Sequence, residues 1–245
     1  MSEELNSYLK HINFNNEVIY DIGANTGEMM QFFNKHSKNA TIIGVEPHPN
    51  NIELLNKQFL GEDHIKIIDG AVNTFDGTCY VGFEQQERVN GLKQGHIMYN
   101  NSDLQGRSWL KGKDVKCYKL DNLCKDATLI KMDIEGFEHQ LLKDSLQNLT
   151  HIKCWMLEIH SWESLSLHGW TIDKHDHKND SLHKMITLFQ KNGYNTFILA
   201  KKRNINIKIN ENTYWTHIPM SSYIQKGEKV YYKVVNLIIK KNQSQ

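Results

Sequence analysis

The sequence predicts an α/β fold, in which a mostly parallel sheet carries helices on both of its faces. Apolar runs rich in Val and Ile recur along the chain, and most are followed by a segment with helical spacing. The first such run also reaches an acidic residue and then glycine, which is typical of a buried parallel strand that ends at a ligand crevice. With 245 residues, the chain is long enough for one domain with its own core, so we expect a single domain over 1–245.

The predicted elements alternate along most of the chain. The strand-like runs occupy residues 18–22, 41–45, 65–68, 128–132 and 154–159. The segments with helical spacing occupy residues 28–35, 50–58, 137–149 and 181–192. Gly193 is placed to end the last helix, and another strand is expected over 195–200. The apolar segment 230–240 suits a closing strand, whose position in the sheet the pattern does not give.

Two segments interrupt this alternation. The dipeptide Asp76-Gly77, between Val72 and Phe83, predicts a hairpin turn at the start of an insert over about 73–119. The second segment, about 161–180, is polar and aromatic without periodicity and follows the predicted strand end near His160. A substrate lid is expected there. Its histidines show no regular ligand spacing, so we expect a solvated loop without a metal site.

Charge and cysteine content limit the class of protein. The chain has 29 Lys and Arg against 28 Asp and Glu, which argues against a dedicated nucleic-acid binder. The four cysteines form no CxxC pair, and the polar first ten residues do not look like a signal peptide. No apolar run approaches the roughly 20 residues of a membrane span. We therefore expect a cytoplasmic protein with neither a membrane nor a nucleic acid as its partner.

The first motif runs Asp21-Ile-Gly23-Ala-Asn25-Thr-Gly27 and follows the first predicted strand. Its glycines allow a tight turn and a close approach of the backbone to a ligand. Asn25 stands where a pyrophosphate-binding loop needs its second glycine, which disfavours a nicotinamide dinucleotide. A cofactor without phosphates fits better, and S-adenosylmethionine is one, with Asp21 facing its positive end. The alternative is that Asp21 only caps the following helix.

Glu46 closes the second predicted strand, directly before Pro47. A carboxylate at this strand end can accept hydrogen bonds from the two ribose hydroxyls of a nucleoside. Alternatively, Glu46 is simply exposed. Because both motifs lie on adjacent predicted strands at a suitable separation, together they favour a nucleoside-containing cofactor.

The second motif runs Lys131-Met-Asp133-Ile-Glu135-Gly-Phe-Glu138 and follows the fourth strand of the predicted sheet. The next strand is expected to bring Glu158 and His160 to the same edge. Such a group suits a general base beside a reacting hydroxyl, and it also suits a divalent metal. We assign catalysis to His160 as the base, with Asp133 and Glu135, and expect no metal. The alternatives are that Asp133 caps a helix and that His160 is an ordinary strand-end histidine.

Taken in order, these motifs resemble the FkbM family of S-adenosylmethionine-dependent methyltransferases. The resemblance covers about residues 18–160. Its further landmarks are Ala71-Val72, Asp76-Gly77 and Leu120-Asp121. It implies a seven-stranded, Rossmann-like class I methyltransferase fold with an antiparallel last strand. It also implies O-methylation of a sugar or another hydroxyl compound.

The resemblance further implies roles for individual residues. The residues that match the family's cofactor site are Asp21, Gly23, Asn25, Gly27, Glu46, Pro47, Ala71, Val72 and Asp133. By this resemblance, Glu46 would be the ribose ligand, and Ala71 and Val72 would lie on the adenine side. Asp133 and Glu135 match the family's signature near the methyl group. The expected substrate is the hydroxyl of a sugar, a sugar nucleotide or a related small molecule. Nucleic-acid methylation and a non-catalytic, cofactor-binding subunit are the alternatives.

Overall fold

The computed structural model describes residues 9, 12–84, 95–98, 110–134, 137–160, 181–199, 208–210, 213–214, 223–226, 229–232 and 234–241. The strands are β1 (Val18–Ile22), β2 (Thr41–Glu46), β3 (Ile65–Asp69), β4 (Ala71–Asn73), β5 (Gly77–Glu84), β6 (Gly95–Met98), β7 (Leu110–Lys119), β8 (Leu129–Met132), β9 (Cys154–His160), β10 (Thr196–Leu199), β11 (Lys208–Asn210), β12 (Thr213–Tyr214), β13 (Tyr223–Lys226), β14 (Lys229–Tyr232) and β15 (Val234–Lys240). The helices are α1 (Glu28–His36), α2 (Pro49–Gln58), α3 (Leu120–Leu123), α4 (Glu138–Ser145) and α5 (Ser181–Lys191).

The main sheet has seven strands in the order β3-β2-β1-β8-β9-β15-β10. Strands β3, β2, β1, β8 and β9 are parallel to one another, whereas β15 runs antiparallel to both of its neighbours. The chain moves outward from β1 to β3 on one side and from β8 to β9 on the other. The topological switch point of the sheet therefore lies between β1 and β8.

Both faces of the main sheet are covered, because alternate residues of each strand point to opposite sides. One buried cluster joins the strand residues Ile19, Ile42 and Leu129 to Met30 and Phe33 of α1 and to Leu55 of α2. The opposite cluster joins Ile22, Ile130 and Trp155 to Leu141 and Leu142 of α4 and to Phe189 of α5. The predicted α/β fold, with a mostly parallel sheet and helices on both faces, is confirmed.

The predicted helices are also found, with small differences at their ends. Helix α5 ends before Gly193, whose φ of +84° places it in the left-handed region, as predicted for the residue that ends this helix. The Gly193 and Tyr194 N–H groups donate to the carbonyls of Gln190 and Phe189. Helix α4 is shorter than the predicted 137–149, because a 3₁₀ turn over Leu146–Asn148 follows it.

The insert forms a second, four-stranded sheet in the order β4-β7-β5-β6. The predicted hairpin at Asp76-Gly77 is wrong, because β7 lies between β4 and β5 and pairs with both. Asp76 instead accepts hydrogen bonds from the Lys119 N–H at 2.8 Å and from the Asn122 side chain at 2.6 Å. It therefore joins the β4–β5 connection to the end of β7.

The predicted closing strand corresponds mainly to β15, which lies between β9 and β10 and pairs with β9 from Val234 opposite His160 to Lys240 opposite Cys154. The predicted strand over 195–200 is β10. The predicted lid over 161–180 lies outside the described residues. In the described part of the chain, no helix combines the length and the apolar character that crossing a bilayer requires.

Candidate active site at the carboxyl ends of the central strands

The acidic residues of the two motifs meet where the central parallel strands end. Asp21 lies near the end of β1, Glu46 ends β2, and Asp133 directly follows β8. The strand alternation places these three positions and Lys131 on the sheet face that α1 and α2 cover. The switch point between β1 and β8, where open α/β sheets bind ligands, is thus lined by charged groups.

The loop after β1 is held in a tight turn against both neighbouring strands. The Gly23 and Ala24 N–H groups donate to the Val45 carbonyl at 3.0 and 3.1 Å. Gly23 has a φ of +76°, and a Cβ on it would lie 1.9 Å from the backbone oxygen of Asp133. Asn25 adopts a left-handed φ of 51°, which asparagine tolerates better than most residues. Glycine at position 23 is therefore required by the close approach of β8.

Glu46 is a fixed, buried acceptor at the end of β2. Its Oε2 accepts from the Asn25 N–H at 2.9 Å, and its Oε1 accepts from the His48 N–H at 2.9 Å and from Asn51 Nδ2 at 3.2 Å. The side chain is 4% exposed, so the alternative that Glu46 is simply exposed is wrong. Burial raises the pKa of this carboxyl, and the hydrogen bonds from His48, Asn25 and Asn51 oppose the rise.

Asn51 is a site residue that sequence reasoning missed. Its Nδ2 donates to Asn25 Oδ1 and to Glu46 Oε1, each at 3.2 Å, and it is buried in the first half of α2. It therefore links the loop after β1 to the carboxylate of β2. No pattern in the sequence distinguishes it from the other polar positions of α2.

His48 is the N-cap residue of α2, and its side chain accepts from the Asn50 N–H at 3.2 Å. The following Pro49 is typical of the first turn of a helix.

Asp21 is fully buried and forms an ion pair with Lys131, with 3.1 Å between Oδ1 and Nζ. Burial raises the pKa of Asp21, and the nearby Lys131 ammonium opposes that rise. Among the described residues, its Oδ2 has no hydrogen-bond donor. The alternative that Asp21 caps α1 is wrong, because Gly27 occupies the N-cap and no side chain caps this helix.

Lys131 is the second functional residue that sequence reasoning missed. Besides its ion pair with Asp21, its Nζ donates to the Gly23 carbonyl at 3.2 Å. Burial favours the neutral amine, but the charges of Asp21 and Asp133 outweigh it and raise the pKa of Lys131. A signal was present in the sequence, because a lysine within the apolar run Leu129–Met132 needs a charged partner when the strand is buried on both faces.

Asp133 provides a second buried acceptor at this edge. Its N–H donates to the Ile22 carbonyl at 3.0 Å, and its Oδ1 has no donor among the described residues. The alternative that Asp133 caps α4 is wrong, because Phe137 occupies the N-cap. Glu138, the first residue of α4, instead contacts the residue after Asp133, since its Oε1 accepts from the Ile134 N–H at 3.2 Å.

The neighbouring strand β9 brings part of the predicted catalytic group to the same edge. Leu157 pairs with Met132, so Glu158 is level with Asp133. His160 ends β9 with its backbone opposite Val234, and its side chain lies outside the described part of the structure. Glu135 lies outside the described residues. The register thus places Glu158 at the same edge as Asp133, as predicted, whereas the catalytic roles of His160 and Glu135 stay predictions.

The predicted adenine-side residues lie beside Glu46. The Gly70 N–H donates to the Glu46 carbonyl at 3.1 Å, and Ala71 and Val72 follow in β4, both buried. Pro47, which follows Glu46, is partly buried. Their contact with a cofactor stays a prediction.

The site fits S-adenosylmethionine by the chemistry of its groups. Asp21 Oδ2 and Asp133 Oδ1 are buried carboxylate oxygens that lack donors among the described residues, and Glu46 adds a third carboxylate. A cationic ligand with hydroxyl and ammonium donors would satisfy them. The described residues contain no group of three or more His, Cys, Asp or Glu side chains arranged to hold a metal ion.

Comparisons with known proteins identify the family of this chain. A family model described as the methyltransferase FkbM domain matches residues 21–196. No curated protein sequence matches the chain. Among solved structures, the chain is similar to a precorrin-6y C5,15-methyltransferase from Geobacter metallireducens, with 11% identity, a TM-score of 0.45, and coverage of 98% of this chain and 87% of that one.

Two fibrillarin structures are similar at the same level. The fibrillarin pre-rRNA processing protein of Methanococcus jannaschii shows 11% identity and a TM-score of 0.44, over 95% of this chain and 70% of that chain. Aeropyrum pernix fibrillarin with natively bound S-adenosyl-L-methionine shows 9% identity and a TM-score of 0.42, over 91% of this chain and 66% of that chain. Because the family model spans more than half of the chain and includes both motifs, this protein belongs to the FkbM family and is an S-adenosyl-L-methionine-dependent methyltransferase.

Proposed function

We propose that the enzyme methylates a hydroxyl of a sugar, a sugar nucleotide or a related small molecule. The observation that carries the proposal is Asp133 Oδ1, a buried acceptor without a donor among the described residues, beside the Asp21–Lys131 pair. A buried carboxylate oxygen without a hydrogen-bond donor destabilises the protein, so a ligand that supplies the donor binds more favourably. The hydroxyl of an acceptor molecule is such a donor. Asp133 would thus hold the reacting hydroxyl close to the cofactor.

Three groups of this chain would hold the cofactor. Asp21 would oppose its positive end, Glu46 would accept its ribose hydroxyls, and Ala71 and Val72 would contact the adenine. When bound, S-adenosylmethionine would supply a methyl group on a sulfonium for transfer to the acceptor oxygen, with the neutral thioether as the leaving group that keeps the carbon–sulfur electron pair.

The acceptor must also lose its hydroxyl proton. We propose that His160 accepts this proton, since the imidazole of histidine ordinarily titrates near neutral pH and therefore suits a general base better than an ordinary carboxylate. Asp133 and Glu135 would orient the imidazole or the acceptor. A histidine base requires no Lewis acid, so the proposed reaction proceeds without a metal ion.

The charge of the chain supports a small acceptor over a nucleic acid. A net charge of +1, from 29 basic and 28 acidic residues, gives little of the electrostatic attraction on which nucleic-acid affinity depends. We take residues 1–245 as one domain, in which the insert of about 73–119 and a lid over about 161–180 would shape the acceptor site. The four cysteines are free and buried, which supports a reducing compartment such as the cytoplasm.

The proposal is tested by offering the enzyme methyl-labelled S-adenosylmethionine with free sugars, sugar nucleotides, other hydroxyl compounds, RNA and protein. We expect label in one of the small molecules, as an O-methyl group identified by NMR. The variant D133N should lose this transfer, while D144N, at an exposed position of α4, should retain it. Label found only in RNA or protein would refute the proposed acceptor class. Cofactor binding without transfer to any acceptor would favour a non-catalytic subunit.

A further inference from the structure

Lys131 connects the two motifs through one ammonium group. Its Nζ lies 3.1 Å from Asp21 Oδ1, at the end of β1, and donates to the Gly23 carbonyl at 3.2 Å. Both contacts cross from β8 to β1, whose backbones pair with Lys131 opposite Asp21. The lysine side chain is 15% exposed, and that of Asp21 is fully buried. One cation therefore holds both the carboxylate and the turn of the first motif.

The surroundings of Lys131 are strongly acidic. Besides Asp21, its ammonium interacts electrostatically with Asp133, Glu158 and Glu46. By element, the titratable groups that interact with it are Asp21 of β1, Glu46 of β2, Asp133 after β8 and Glu158 of β9. Four acidic side chains thus surround one lysine. Without the lysine, a buried carboxylate such as Asp21 would have no opposite charge to keep it ionised.

We infer that Lys131 is a positioning residue for cofactor binding, which keeps Asp21 ionised and fixes the Gly23 carbonyl so that the turn after β1 can receive the cofactor. The inference depends on the cofactor of the family and not on the identity of the acceptor hydroxyl. In this role Lys131 acts through Asp21 and Gly23 and does not itself touch the reacting atoms. Replacement of a lysine that only stabilised the fold would leave the pH dependence of cofactor binding by the folded protein unchanged.

This role has a consequence for the pH dependence of binding. Burial already raises the pKa of Asp21, and removal of the nearby ammonium would raise it further. At any given pH, Asp21 should therefore be protonated to a greater extent in K131M than in the natural enzyme, which weakens its interaction with the positive end of the cofactor. Binding by this variant should strengthen as the pH rises, and it should depend on pH more steeply than binding by the natural enzyme.

Calorimetry of S-adenosylmethionine binding tests the inference without any acceptor, because this ligand carries the sulfonium charge that S-adenosylhomocysteine lacks. We expect the Kd of K131M to be at least tenfold higher than that of the natural enzyme at pH 7, and to fall at higher pH. Hydrogen exchange at the Gly23 and Ala24 amides should be faster in cofactor-free K131M. The matched control is K153M, because Lys153 pairs with Glu17 at 2.9 Å but is 60% exposed and precedes β9. It should leave both readouts unchanged.

A K131M protein that binds S-adenosylmethionine with natural affinity at every pH would refute the inference. An affinity loss that is the same at every pH would refute it too, since it would indicate only a structural role. If K131M fails to fold, the double variant D21N/K131M removes both charges and should recover cooperative unfolding. This double variant should bind weakly and without pH dependence, and natural affinity in it would overturn the inference. These binding measurements use no acceptor, so they would keep their meaning even if the proposed class of acceptor proved wrong.

Discussion

The Asn25 N–H donates a 2.9 Å hydrogen bond to Glu46 Oε2, so the loop after β1 and the carboxylate that ends β2 are fixed against each other. Glu46 therefore shapes the loop, and in the proposed site it would also accept hydrogen bonds from the ribose hydroxyls. An oxygen of a carboxylate can accept more than one hydrogen bond. The same geometry makes Glu46 a sensitive position for substitution.

We predict that E46A weakens S-adenosylhomocysteine binding at least tenfold. Each charge-assisted hydrogen bond to a ribose hydroxyl contributes about 1.5–3 kcal/mol, and about 1.4 kcal/mol corresponds to tenfold in Kd. Calorimetry gives the affinity, and E53Q, at an exposed position of α2, is the control. An analogue without the two ribose hydroxyls separates the tasks of Glu46. If E46A weakens the analogue as much as the parent ligand, Glu46 does not bind the ribose.

Gly23→Ala should destabilise the fold and abolish cofactor binding. The added Cβ would meet the Asp133 backbone oxygen at 1.9 Å, so β1 and β8 would have to separate at the site. Gly61→Ala is the matched control, since Gly61 also has a positive φ, of 90°, but has no atom within 4 Å of the added Cβ. The free energy of unfolding of the control should fall only by the cost of placing alanine in a left-handed backbone conformation, about 1–2 kcal/mol. Equal losses in the two variants, measured by chemical denaturation, would contradict the close approach at Gly23.

His160→Ala should leave S-adenosylhomocysteine affinity intact and lower turnover about a hundredfold, the usual scale for a lost general base. Asp133→Asn should lower both, because Asp133 would touch cofactor and acceptor together. His151→Ala, at an exposed position before β9, serves as the histidine control. Normal turnover in H160A together with an inactive D133N would identify a carboxylate as the base.

Turnover should persist in EDTA, because the proposed base is a histidine and the reaction requires no Lewis acid. The assay is the labelled-methyl transfer with and without chelator, after dialysis to remove bound metal. Activity that EDTA abolishes and Mg²⁺ or Mn²⁺ restores would show that a metal ion takes part.

Asp121 should stabilise the fold at neutral pH and not in acid. Burial opposes its ionisation, but the Asn148 amide at 2.6 Å and the Lys119 ammonium at 3.1 Å outweigh burial and lower its pKa from 3.8. The unfolded chain therefore binds more protons than the folded one near this pKa, so stability is lost as the pH falls through the folded pKa.

The variant D121N should accordingly lower the free energy of unfolding by about 1 kcal/mol at pH 7. The difference from the natural protein should shrink as the pH falls below about 4. Urea denaturation at several pH values measures both quantities, with D144N as the exposed control. A difference that stays constant down to pH 3 would show that the charge of Asp121 contributes nothing.

The central part of the fold could be predicted because its strands are buried on both faces. Runs such as Val18–Ile22 and Leu129–Met132 must then be apolar along most of their length, and their ends are marked by acidic residues and glycine. The insert could not be predicted in the same way. Asp76-Gly77 has the composition of a hairpin turn, but pairing of β4 and β5 with the distant β7 overrides that local preference.

The candidate site was predicted through residues that stand at strand ends, such as Asp21 and Glu46. Residues whose role depends on tertiary contacts were missed. Asn51 lies on a helix where many polar residues are exposed, and only the packing of α2 against the loop after β1 reveals its two hydrogen bonds. Lys131, unlike Asn51, had a signal in the sequence, because a lysine in a buried strand needs a partner of opposite charge. The sequence alone does not identify Asp21 as that partner.

The most direct test is a crystal structure of the enzyme with S-adenosylhomocysteine and a sugar nucleotide. We expect the ribose hydroxyls within hydrogen-bond distance of Glu46, and the thioether sulfur on the side of Asp133. A hydroxyl of the acceptor should donate to Asp133 or to His160. A cofactor whose ribose lies away from Glu46, or an acceptor hydroxyl that reaches neither residue, would contradict the proposed site.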